Sequence, residues 1–191
     1  MLGITSLIMA NSLLTQMDFF IYYQGDYNPE FLYGFFSLFV HIIFQVYIIL
    51  YGQRLGSYKM MLLGSSIMNF ILMCIIPVVV VFVPAFTGFL IAIFFMILIG
   101  LMGAIMQSAI YGIVSILPSK YIIAMSVGQG FSGITLNIVK FIILLTFEST
   151  EGKSPEERQS IYFSEIYLFY SIATIFVVVT NFLVLVIEHI N

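Results

Sequence analysis

The chain has 191 residues, 62% of them hydrophobic and only 8% charged, with a formal net charge of −3 and a mean hydropathy of +1.15. Soluble globular domains carry roughly 25% charged residues, so this composition excludes a soluble domain and indicates an integral membrane protein. Six Lys plus Arg are too few for a nucleic-acid surface, and a single cysteine, Cys74, excludes an internal disulfide and a multi-thiolate metal site.

Six apolar segments separate along the chain, at about 2–23, 31–52, 60–83, 88–117, 121–147 and 164–187. Each meets or exceeds the roughly 20 residues that a helix needs to cross the bilayer core. The segments are apolar all round, without the alternation of a barrel strand, and backbone groups in lipid must be satisfied within the segment. The expected fold is therefore an all-α membrane protein, with residues 1–191 forming one six-helix transmembrane domain. The first segment begins almost at Met1. It lacks a positive n-region and runs on to Tyr23, so it reads as a transmembrane helix rather than a cleaved signal.

The links between segments are short, except for the long polar one at 147–159. Within it Ser154-Pro155-Glu156-Glu157 has the chemistry of a helix start, with Ser as N-cap and Pro at the first helical position. Alternate links share a side of the membrane. Arg54, Lys59 and Lys120 lie on one side, Lys153 and Arg158 on the other. Counting Lys and Arg alone places both termini in the cytoplasm. No sorting signal is visible, and the plasma membrane is the expected residence in preference to an organelle membrane.

Polar groups inside a span are costly and face the bundle interior or a wet cavity. They are Asn11, Gln16, Asp18, His41, Gln45, Asn69, Gln107, Asn137, Lys140 and Asn181. Asp18 and Lys140, both toward the outer ends of their segments, are candidates for an ion pair, against the alternative that each reaches the interface separately. In the fourth segment Gly100, Ala104, Ser108 and Gly112 recur every four residues, a small-residue stripe suited to helix packing. Gly103, Gln107 and Tyr111 form a second stripe, rotated by one position. Periodicity leaves Gln107 open between an interhelical hydrogen bond and a cavity role.

Gly128-x-Gly130-x-x-Gly133 matches a dinucleotide-binding fingerprint by letter. That motif requires a preceding strand and a downstream acid. Here it lies inside an apolar helix, where Gly128, Gly130 and Gly133 are expected to serve close helix packing. His41 and Gln45 share a helical face, but the membrane segments offer too few ligands for a metal site. No catalytic constellation is present, so neither an enzyme nor a cofactor is expected.

Gly103-Ala-Ile-Met-Gln107-Ser-Ala-Ile-Tyr-Gly112, Leu117-Pro118-x-x-Tyr121 and Gly128-Gln129-Gly130-x-x-Gly133 resemble the signature of the fourth and fifth helices of equilibrative nucleoside transporters. Leu2-Gly3 followed by Asn11 resembles that family's first helix, with Ala10 where a Trp is frequent. Gly52-Gln53-Arg54 resembles the end of its second helix. The resemblance implies the N-terminal half of a major-facilitator-like carrier for nucleosides or nucleobases, working in the lipid bilayer without a cofactor. It implies that Gln107 hydrogen-bonds the nucleobase and that Asn11 and Gly103 line the same cavity. His41 falls at a cavity position that is apolar in the family, which makes it a candidate second contact. The sequence stops at Asn191, after the sixth segment. The family's C-terminal helices, with the Asp and Arg that engage the ribose, lie beyond it. Transport then calls for a complementary C-terminal half or another membrane subunit, and the alternative is a non-transporting structural subunit of a membrane complex.

Overall fold

A computed structural model describes residues 2–52, 57–147 and 154–190. Among these residues there are seven α-helices and no strands: α1 (Leu2–Thr15), α2 (Met17–Gln24), α3 (Pro29–Tyr51), α4 (Tyr58–Phe82), α5 (Ala85–Ser115), α6 (Ser119–Thr146) and α7 (Pro155–Ile190). Six spans are long and apolar enough to cross a membrane, α1 and α2 together making the first. The expected Gln53-Arg54 match and Lys153 lie outside the described residues.

The first span is broken where one continuous helix was expected. Ser12 and Thr15 donate their hydroxyls back to the carbonyls of Ile8 and Asn11, at 2.6 and 2.7 Å. Such back-bonding competes with the helical ladder and bends it. At Gln16 the ladder tightens. The Phe19 N–H, which an unbroken helix would aim at the Thr15 carbonyl, bonds to the Gln16 carbonyl at 3.2 Å instead. The span then continues through α2 and a 3-10 turn, Gly25–Tyr27. Asn28 follows with φ 52°, the left-handed conformation that Asn tolerates better than most residues, and Pro29 opens α3 at its first turn.

The sixth span starts earlier than its apolar stretch. Ser154 Oγ accepts from the Glu157 N–H at 3.3 Å, and Glu157 Oε2 accepts from the Ser154 N–H at 2.9 Å. This reciprocal capping box begins α7 within the polar link. Pro77 lies inside α4 and cannot donate to the carbonyl one turn back. Close by, the Cys74 carbonyl accepts from the Tyr167 hydroxyl of α7 at 2.9 Å.

Packing follows from where the small residues fall. A Cβ on Gly100 would lie 2.3 Å from the Ser37 carbonyl oxygen, so α5 and α3 touch at backbone distance. A Cβ on Gly3 would lie 2.1 Å from the Met125 carbonyl oxygen, and one on Gly128 would lie 3.1 Å from Gly3 Cα, so α1 and α6 are equally close. Helix α1 also meets α5 and α7. Buried Ile8, Met9, Phe20, Met73, Met96, Met106, Phe169 and Val177 fill the centre. Helices α3 and α6 are the least buried of the six spans.

Candidate functional site

Polar side chains of α3, α5, α6 and α1 hydrogen-bond across the helix contacts and make one wall of the site. On α5, His41 from α3 meets the stripe of Gly103 and Gln107. His41 Nε2 donates to Gln107 Oε1 at 2.6 Å. A Cβ on Gly103 would lie 3.1 Å from His41 Nδ1, so the missing side chain at 103 is the space in which the imidazole sits. Three of the four expected binding residues thus form one cluster.

The fourth, Asn11, lies at the α1–α6 contact. Its Nδ2 donates to Ser132 Oγ at 2.6 Å, and Ser132 donates in turn to the Gln129 carbonyl at 2.8 Å. Gln129 joins three helices. Its Oε1 accepts from the Tyr111 hydroxyl of α5 at 3.0 Å, and its Nε2 donates to Ser6 Oγ of α1 at 3.0 Å. Helix α6 runs parallel to α1 and antiparallel to α5. One turn from the Tyr111–Gln129 bond is Gln107 on α5 and Gly133, next to Ser132, on α6. Helical count therefore sets Asn11 and Gln107 at similar depth.

The atoms left over define what the wall can do. Among the described residues, Gln107 Nε2 and Asn11 Oδ1 have no hydrogen-bond partner. A donor amide and an acceptor carbonyl are therefore offered at one level. No charged side chain takes part in this part of the network. Gln129, Ser132 and Ser6 were not expected as site residues. The signal for the first two was available: Gln129 and Ser132 stand three residues apart and so share a helical face, but the glycines around them read as a packing motif.

Gly130 departs from the expected packing role. It is exposed, and a Cβ there would meet nothing within 4 Å. It stands two residues, roughly 200° of helix, from Gly128, so the two cannot face α1 together. Ser108 also differs from its stripe: its Oγ is buried without a partner. Gly112 packs against the Tyr58 ring, where a Cβ would lie 2.4 Å away. Gly133 stands beside Asn11, a Cβ there lying 3.8 Å from its Nδ2.

Farther along the same wall, Lys140 Nζ lies 2.6 Å from Asp18 Oδ2. Asp18 stands nine residues before Tyr27, about 14 Å along the helix, deeper in the span than a residue at its outer end. Among the described residues no group of three or more His, Cys, Asp or Glu could hold a metal ion.

Residues 90–191 match the model of the nucleoside transporter family, which is 102 of the 191 residues. The chain belongs to the nucleoside transporter family. The match takes in α5 beyond Phe89, α6 and α7, and so includes Gly103, Gln107 and Gln129. Membership makes the chain a multi-pass membrane protein of nucleoside transport. Among curated proteins, none matches the chain.

Proposed function

We propose that this chain forms one half of a facilitative carrier that moves uncharged nucleosides or nucleobases down their gradient, with Gln107 as the principal nucleobase contact. The observation that carries this reading is the His41–Gln107 hydrogen bond at 2.6 Å. A primary amide can present either its oxygen or its nitrogen to a ligand. With Oε1 engaged by His41, Gln107 offers its N–H donors, while Asn11 offers an acceptor. Nucleobase edges carry donors and acceptors side by side, so the two amides are complementary to such an edge. His41 acts in this scheme as a positioning residue for the amide, and Gly103 as the space that admits it. The absence of a described cation beside the two amides suits a nucleoside better than a nucleotide.

Alternating access moves one bundle against another around a site between them. The six-helix unit 1–191 supplies one wall, and a complementary C-terminal half or another membrane subunit supplies the other, facing the little-buried α3 and α6. The plasma membrane, with both ends of the chain in the cytoplasm, completes the reading. Uptake of radiolabelled uridine and adenosine tests it. Cells expressing the protein together with its complementary half should accumulate both to equilibrium and no further, and Gln107→Leu should reduce uptake about tenfold at unchanged surface expression, the loss of one well-placed hydrogen bond. Unchanged uptake by Gln107→Leu would remove Gln107 from the site, and no uptake by the wild type would favour a non-transporting subunit.

A further inference from the structure

The bundle end where α3 and α5 finish and α4 and α6 begin holds a cleft of about 630 Å3. Small-molecule sites span roughly 300–1,000 Å3. Its lining includes Gln45 and Ile48 of α3, Tyr58 and Met61 of α4, and Ser108 and Tyr111 of α5. None of the four expected binding residues lines it. It lies beside them, because Gln45 is one turn from His41 and Tyr111 is one turn from Gln107, each on the same helical face.

The chemistry of the lining is specific. Ser108 Oγ is buried and has no partner, so rotation of its hydroxyl toward the cleft would gain it one. Gln45 supplies an amide, and among the described residues it makes no hydrogen bond. Tyr58 lays its ring against Gly112, where a Cβ would stand 2.4 Å from it, and Ile48 and Met61 supply apolar surface. Among the described residues no charged side chain lines the cleft. A flat ring, an amide, an unsatisfied hydroxyl and a described lining without charge match a neutral heterocycle with polar edges.

We infer that this cleft is a second, inner subsite for a nucleobase or nucleoside, between the Gln107 wall and that end of the bundle. The inference rests on the nucleoside-carrier reading for its ligand. The solute occupies the cleft through Gln45 and Ser108 after leaving, or before reaching, the Gln107–Asn11 level. A carrier so built binds solute asymmetrically from its two faces.

Two measurements test it on the full protein. The first is the half-saturation concentration of uridine and adenosine for influx and for efflux. Gln45→Leu, Ser108→Ala and the space-filling Ser115→Phe should each raise it about tenfold for the direction that loads from the cleft end, and less than twofold for the other. An equal rise in both directions, or none, overturns the subsite. Ser115 is exposed and bonds only to the Gly112 carbonyl of its own helix, so its substitution keeps the test valid if Gln45→Leu does not fold. The second is binding of tritiated adenosine to purified protein, which needs no flux. Gln107→Leu protein should keep residual binding that Gln45→Leu abolishes. If Gln107→Leu alone abolishes binding, the subsite is refuted while the carrier reading stands. If wild-type protein binds adenosine but does not move it, the carrier reading fails and the effect of Gln45→Leu on that binding still decides the subsite. Absence of all binding by the wild type overturns both.

Discussion

The Lys140 ammonium joins two pieces of a broken helix: it lies 2.5 Å from the Thr15 carbonyl oxygen at the end of α1 and 2.6 Å from Asp18 Oδ2 in the first turn of α2. A helix end carries unsatisfied carbonyls and a partial negative charge, and a helix start the reverse. A cation at the first and an anion at the second complement both. The Lys140 side chain is 12% exposed and that of Asp18 70%. The two partners should therefore contribute unequally. Lys140→Met leaves the Thr15 carbonyl without its side-chain partner and should lower the thermal midpoint in detergent by about 2–10 °C. Asp18→Asn should lower it by less than half as much. Exchanging the charges, Asp18→Lys with Lys140→Asp, should restore only part of the loss, because an aspartate cannot donate to the carbonyl. Full restoration would show that charge pairing is the whole of the interaction.

Small residues on α5 and α6 make opposite predictions that differ only in what they face. Gly100→Ala would drive a Cβ to 2.3 Å from a backbone oxygen of α3. Backbone cannot yield as a flexible side chain can, and overpacking of this kind costs about 1–3 kcal/mol. Gly130→Ala enters open space within a helix, where alanine is favoured over glycine by about 0.5–1 kcal/mol. Thermal midpoints of the two variants should fall on either side of the wild type. A destabilising Gly130→Ala would place Gly130 on the part of α6 that the complementary half covers.

The six spans were legible because each is a long apolar run, and length against bilayer thickness is a strong constraint. The start of α7 was legible from Ser154 and Glu157, whose capping roles depend on neighbours three residues apart. The break at Gln16 was not, because it arises from Ser12 and Thr15 turning their hydroxyls onto their own helix, and those residues occur in unbroken helices too. The Gly103–Gln107 stripe was readable from spacing. Its meeting with His41, and the path from Tyr111 through Gln129 to Ser6, depend on which helices are neighbours. That information lies in close approaches such as Gly100 to Ser37 and Gly3 to Met125, which no single segment reveals. Gly130 shows the converse: a motif spacing that packs helices elsewhere points away from the bundle here.

Coupling between His41 and Gln107 gives the sharpest test of the wall. If His41 fixes the amide of Gln107, then His41→Ala and Gln107→Leu should not add. The double variant should transport no worse than Gln107→Leu alone, since an orienting group has nothing to orient once the amide is gone. The interaction free energy should be about 1 kcal/mol, typical of side-chain hydrogen bonds between membrane helices, or roughly fivefold in uptake. Gly103→Ala probes the same bond from the other side. Its Cβ would stand 3.1 Å from His41 Nδ1, close enough to displace the ring by a few tenths of an ångström without disturbing backbone. It should lower uptake severalfold in wild-type protein and have no further effect in His41→Ala. Additive losses across the three variants would show that each residue touches the solute independently, and would leave Gln107 without an orienting partner.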